Sequence, residues 1–279
     1  MSDDLTGIHA DISEADYHAD PVPEGSLSSS GARLLLKSPA HFRHAPKEFK
    51  NSYDFGSVVH TLVLGTGCEI VEIEADNWRK KADTEARDEA RARNAAPILS
   101  KDLVDARAMA AAVHDHPAAA QLLAMPGTSE ASIIWHNKVW RRARVDWLPD
   151  CEAGSRPVLV DYKTTVDASP EAFAKSAIRY GYHHQGPWYV DGYRAVTGCD
   201  LEPAFLIVAQ EKEAPYLVSV HQIMPDAMEA GRRGNEKAVA RYMKATETGV
   251  WPGYPDEIQP LDLPMWAEQH FQTLEGDEQ

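Results

Sequence analysis

The seven residues V-L-V-D-Y-K-T, 158–164, constrain this chain more than any other stretch. The run is short, apolar and β-branched, which favours a buried strand over a helix. Side chains alternate along a strand, so Asp161 and Lys163 share a face, roughly 7 Å apart at Cα, and Tyr162 takes the other. The run V-W-R-R-A-R-V-D-W, 139–147, has the same character. Its alternation places Arg142, Arg144 and Asp146 together, with Arg141 opposite. If the two strands pair, two acids, a lysine and two arginines converge.

That set suits metal-assisted attack on a phosphodiester. Carboxylates hold Mg²⁺ through one or two oxygens and leave it several waters. A metal so held makes hydroxide available near neutral pH and stabilises charge on the attacked phosphate. Lys163 would orient the attacking water, help deprotonate it, or neutralise the developing charge. A lone D-x-K also arises as a weak surface pair closing a buried strand, so the flanking elements carry the weight.

Upstream, F-G-S-V-V-H-T-L-V-L-G reads as a short apolar helix with Gly56 and His60 four apart on one face. Taken alone, His60 reads more readily as a packed core histidine than as a ligand. Downstream, S-P-E-A-F-A-K-S-A-I-R-Y has a Ser-Pro start and a Glu in its first turn, so a helix follows the D-x-K strand. In Y-H-H-Q-G-P-W-Y-V-D-G-Y, Gln185 and Tyr189 are four apart. Pro187 between them removes a helix hydrogen bond, so the helix either starts there or kinks.

In this order the motifs resemble the PD-(D/E)XK nuclease superfamily, which includes lambda exonuclease and RecB-like nucleases. Within it the chain is most similar to the RecE-type (exonuclease VIII) nuclease domain. The resemblance runs through L-S-S-S-G-A-R-L-L-L-K-S-P-A-H-F, F-G-S-V-V-H, E-A-S-I-I-W, R-V-D-W-L, V-D-Y-K-T-T, G-Y-H-H-Q, W-P-G-Y and L-P-M-W-A. It implies a restriction-endonuclease-like α/β core, a mixed central sheet flanked by helices. It also implies His60, Asp146, Asp161 and the Tyr162 carbonyl as metal ligands, Lys163 as the catalytic lysine, and Gln185 and Tyr189 as residues that shape the site. Glu130 is an additional acid expected near the metals. Ser30 and Arg33, on the first motif, join Arg142 and Arg144 as expected DNA contacts.

The activity so implied is a Mg²⁺-dependent deoxyribonuclease, with Mn²⁺ able to substitute. It would degrade linear double-stranded DNA from its ends, 5′ to 3′, leaving 3′ single strands for recombination. A RecT-type annealing partner and a homo-oligomeric ring come with the resemblance. An end-independent endonuclease on the same core and an inactive DNA-end-binding module are the other readings. The intact Asp146, Asp161 and Lys163 argue against the second.

With 279 residues, 43% of them hydrophobic, the chain can fill one sizeable core, and a single domain over 1–279 is the economical expectation. Residues 76–124 are rich in Ala and charge and read as a solvated helical insertion broken near Pro97. Residues 204–222 read as two strands around a polar turn, followed by a helix from about 225 to 247 stopped by Gly249. No apolar run approaches membrane-spanning length and no basic-apolar leader opens the chain, so a cytoplasmic bacterial or phage-encoded protein is expected. Cys68, Cys151 and Cys199 are odd in number and scattered, which argues against disulfide, zinc or iron–sulfur frameworks. His183 and His184 are adjacent and read as structural.

A net charge of −15 requires that any DNA-binding charge be local. Lys138, Arg141, Arg142 and Arg144 fall within seven residues and form the expected basic track. The competing reading of such alternating basic residues is protection of a hairpin edge.

Overall fold

The structure, a computed structural model, describes residues 5–46 and 54–262, so L-P-M-W-A lies outside the described residues. The chain opens with β1 (Gly7–His9), α1 (Glu14–Ala19), α2 (Ser29–Lys37), α3 (Pro39–Arg43) and α4 (Asp54–Leu64). It continues through β2 (Ile70–Ile73), α5 (Lys81–Ala92), β3 (Ala96–Leu99), α6 (Ser100–Asp115) and α7 (Pro117–Leu123). Then come β4 (Gly127–Asn137), β5 (Val139–Pro149), β6 (Val158–Thr165), α8 (Pro170–Tyr180), α9 (Tyr182–Thr197), β7 (Ala204–Glu211), β8 (Val218–Gln222) and α10 (Pro225–Thr248). Six strands form one sheet in the order β1-β4-β5-β6-β7-β8. Within this sheet, among the described residues, the one parallel pair is β6 and β7, because the α8–α9 crossover returns the chain to the same end of the sheet.

Both faces of this mixed sheet are covered. On one, Leu159, Phe205 and Ile207 pack with Trp135, Ala143 and Val145 against Leu35 of α2, Trp188 of α9 and Val239 of α10. On the other, Val160, Tyr162 and Val208 meet Val58 and Val59 of α4 and Met109 and Val113 of α6. Adjacent residues of β6 therefore enter different cores, the alternation read from V-L-V-D-Y-K-T.

The region 76–124 departs from expectation. Its first part, α5, is a charged helix, largely exposed. Pro97 does not break a helix but lies in the buried strand β3, which pairs parallel with β2 in a separate two-stranded sheet. In so small a sheet every strand is an edge, where a residue without an N–H is tolerated. Helix α6 buries Leu103, Ala106, Met109, Ala110 and Val113, a helical stripe that forms much of the second core. Its alanine-rich composition hides this stripe, and only α5 behaves as a solvated insertion.

Helix α9 does not start at Pro187: it starts at Tyr182, after Gly181 in the left-handed conformation, and runs through the proline. The ring leaves the carbonyls of the preceding turn short of donors. Helix α10 answers this: Asn235 Nδ2 donates to the His184 carbonyl at 2.9 Å, and Gly231 lies against the His183 carbonyl, where an added Cβ would come within 1.7 Å. The hairpin β7–β8 and the length of α10, capped by left-handed Gly249, match expectation. No helix among the described residues is long and apolar enough to cross a membrane.

Candidate active site

Strands β5 and β6 pair at Trp147 and Val160 and then part. Leu27 takes the vacated edge, its N–H donating to the Trp140 carbonyl and its carbonyl accepting from the Arg142 N–H. At the fork, Asp146 Oδ2 accepts the Tyr162 N–H at 2.7 Å, so a side chain replaces the missing ladder bond and ties the two acidic strands together. From α4, His60 reaches in with Nε2 3.4 Å from Asp146 and Nδ1 3.1 Å from Glu130. Glu130 lies between the pairs Ser129–Trp147 and Ala131–Val145, opposite Asp146, with a positive φ of 54° that a non-glycine residue rarely adopts. Arg144 holds its other oxygen at 2.5 Å.

On the other side of β6, Asp161 is only 1% exposed and sits 2.5 Å from Lys163 Nζ. Gln185 Nε2 donates to its Oδ1 at 2.7 Å. Behind Gln185, one turn further along α9, Tyr189 is buried and its ring meets the edge of Phe205. The Q-x-x-x-Y spacing thus sets a packed tyrosine behind the glutamine that holds Asp161. Tyr162 points the opposite way, donating its hydroxyl to the fully buried Gln210, which in turn donates to the Met109 carbonyl.

Electrostatics follow from crowding of charge in a largely buried fork. Burial pushes the Asp161 carboxyl up to about 6 although Lys163 opposes it. Burial disfavours the Lys163 ammonium, but Asp161 and Asp146 outweigh it and hold its pKa above the ordinary value, so the pair is ionised at neutral pH. Burial likewise works against the His60 imidazolium, yet Asp146 and Glu130 raise its pKa to about 9. Burial and the neighbouring Asp146 raise Glu130. Asp146 is held below its ordinary value, because His60, Lys163 and the Tyr162 amide together outweigh burial.

The donor set fits a divalent cation. His60, Glu130 and Asp146 each offer one ligand atom, all within 4.8 Å of one another. Asp161 Oδ2, buried against the Lys163 ammonium, adds a further carboxylate oxygen near Asp146. Carboxylate oxygens with one imidazole suit a hard or borderline metal. The expected set of His60, Asp146, Asp161 and Tyr162 is brought together in part. Glu130 joins His60 and Asp146, while Asp161 turns toward Lys163 and Gln185.

The DNA contacts expected on β5 are revised. Arg142 is 2.8 Å from Asp20 and also bonds Ser26, and Arg144 bonds Glu130, Ser132 and the Ile12 carbonyl. Their side chains are 12% and 13% exposed, and both pack on Tyr17. They anchor the N-terminal segment and offer no free cation to a phosphate. Arg141 lies on the opposite face over Trp188, and Lys138 is exposed at the hairpin tip. The four residues form no continuous track. Arg33, in contrast, is exposed and has no hydrogen-bond or ion-pair partner among the described residues, and its stem passes beside Gly181. Ser30 is also exposed and bonds the Ser28 hydroxyl. Asp20 went unnoticed in the sequence, and only the long-range pair with Arg142 reveals it.

The sequence profile of a PDDEXK-like domain of unknown function (DUF3799) matches residues 28–264. The chain belongs to this family. The DUF3799 fold here is also that of a solved protein from Eubacterium rectale described as a "putative exonuclease", with a TM-score of 0.61 and 12% identity over 92% of this chain and 97% of that one. An alkaline exonuclease from Laribacter hongkongensis aligns at 15% identity over 80% of this chain and 94% of its own, but at a TM-score of 0.31, too low to bear on the fold. No curated protein matches in sequence. Family and architecture place this DUF3799 chain in the PD-(D/E)XK superfamily, with β6 as its D-x-K strand.

Proposed function

We propose that this DUF3799 protein is a metal-dependent deoxyribonuclease. The carrying observation is the ionised Asp161–Lys163 pair, locked by Gln185, next to three ligand atoms from His60, Glu130 and Asp146. His60, Glu130 and Asp146 would hold Mg²⁺ or Mn²⁺, with Asp161 adjoining. An ion held there would make hydroxide available near neutral pH and offset charge on the phosphate. Lys163, whose acidic neighbours favour its ammonium form, would donate hydrogen bonds to the phosphate or the attacking water and offset developing charge. Asp161 fixes where that ammonium points, and Gln185 and Tyr189 fix Asp161. Tyr162 holds Asp146 through its main-chain N–H.

The finer reading is 5′-to-3′ degradation of linear duplexes from their ends, by a ring working with an annealing protein. Its support is the ordered RecE-type series of motifs. Incubation with Mg²⁺ and linear or covalently closed duplexes labelled at either end tests it. End-dependent release of label from the 5′ strand is expected. Cutting of closed circles would favour the endonuclease reading, DNA binding without cutting the inactive module, and activity in excess chelator would exclude metal dependence. Sedimentation of the full chain tests the ring.

A further inference from the structure

A column of stacked rings starts at the half-buried His221, passes Lys163 at its third ring and ends at the surface. His221, held by Ser219, stacks on the buried Phe173 at 4.6 Å between ring centroids. Phe173 stacks on Tyr182 at 5.8 Å, and Tyr182 on Tyr180 at 6.0 Å. Three different elements, β8, α8 and α9, supply these rings. Tyr182 has a neighbour on each side and is fixed in orientation. Tyr180, the last ring, is 48% exposed.

What surrounds the open end has the chemistry of a nucleotide. Lys163 Nζ lies 5.8 Å from the Tyr182 ring centre, so the column abuts the D-x-K pair. Unpaired Arg33 runs past Gly181, the residue between the two tyrosines, and the exposed Arg179 guanidinium sits 5.7 Å from the Tyr180 ring centre. Exposed aromatic rings with free guanidinium groups are how proteins hold single-stranded nucleic acid: every base offers a π face and every nucleotide a phosphate. A helix terminus alone has no need of an exposed tyrosine at the end of a four-ring stack.

We propose that Tyr180 is a stacking platform for the unpaired base next to the scissile phosphate, with Arg33 as the cation for the adjoining phosphate. This inference rests on the nuclease reading and deepens it, because it names the group that receives a base freed from the duplex end. Tyr182 is a positioning residue that sets the plane of Tyr180.

The test uses the full chain in Ca²⁺, to prevent cutting, with duplexes carrying 2-aminopurine as the terminal or second base of either strand. Stacking should quench the fluorescence in one strand. Tyr180→Ala should abolish the quench and weaken binding of a frayed or single-stranded end by about 5- to 150-fold, the range for one base–aromatic stack. Tyr180→Phe should preserve both, and Tyr180→Leu, apolar but without a π face, should behave like the alanine variant. Thermal melts of these surface variants should match the parent. A quench that survives in Tyr180→Leu, or DNA that is bound and cut in Mg²⁺ with no quench in the parent, would overturn the platform while leaving the nuclease standing. Failure of the parent to bind any labelled DNA would overturn both.

Discussion

The α9 side and the α4 side of the sheet both reach the fork at β5 and β6, but with different chemistry. From α9 come Gln185 and Tyr189, neutral groups set in a core of large aromatic rings, and they act on Asp161 and Lys163 by holding them still. From α4 comes His60, a titratable group over a mostly aliphatic core, and it shares its two nitrogens between Glu130 and Asp146. In the proposed nuclease, one face would position and the other would ligate. A close-packed aromatic core resists movement, which suits the side that must hold a lysine in place. Ligands that gather from α4, β4 and β5 can adjust around an ion.

The largest expected effects fall on the pair at the centre. Asp161→Ala should abolish cleavage while circular dichroism shows the fold retained. Lys163→Ala should lower turnover by roughly 10²-fold or more and leave Mn²⁺ binding in place, since it removes a charge but no ligand. Calorimetric titration of Mn²⁺ with DNA present checks this, and lost metal affinity with normal turnover of the remaining holoenzyme would assign Lys163 a different role.

The division between faces predicts a split one step further out. His60→Ala should eliminate Mn²⁺ binding. Gln185→Ala should reduce turnover by roughly 10- to 100-fold, the usual range for groups that orient others at a metal site, with a smaller effect on affinity. Equal loss of Mn²⁺ binding in both variants would erase the distinction.

Next in size is the contact that lets α9 run through Pro187. Gly231→Ala forces a Cβ against the His183 carbonyl and should destabilise by at least about 1–3 kcal/mol. Asn235→Leu removes the donor to His184 and should cost about 1–3 kcal/mol. Denaturant midpoints measure both. Unchanged stability in the two variants would mean that α9 needs no support from α10.

The smallest effect distinguishes the arginines. Arg33→Ala should flatten the salt dependence of DNA binding by about one unit of slope. Arg142→Ala should leave the slope alone and lower the melting temperature, because its partner is Asp20. A flattened slope in Arg142→Ala, with Arg33→Ala unchanged, would return the phosphate contact to β5.

Local patterning determined a good deal of this protein. The D-x-K strand, the helix bearing His60, the β7–β8 hairpin and the Ser-Pro start of α8 are all readable, since period, caps and turn residues act over a few neighbours. The same alternation put Arg141 and Arg142 on opposite faces. Tertiary structure alone decided who meets whom across long separations. Glu130, expected near the metals from its motif, meets His60 and Asp146 because β4 pairs with β5 in a register that sets it opposite Asp146. Arg142 and Arg144 lose their availability to DNA because the N-terminal segment folds over them. Pro187 sits inside a helix because α10, some forty residues on, supplies a glycine and an asparagine at the right height. Charge and hydrogen-bonding capacity are written in each residue, but whether they are used inside or offered outside depends on burial by distant segments, and burial is a property of the packed chain.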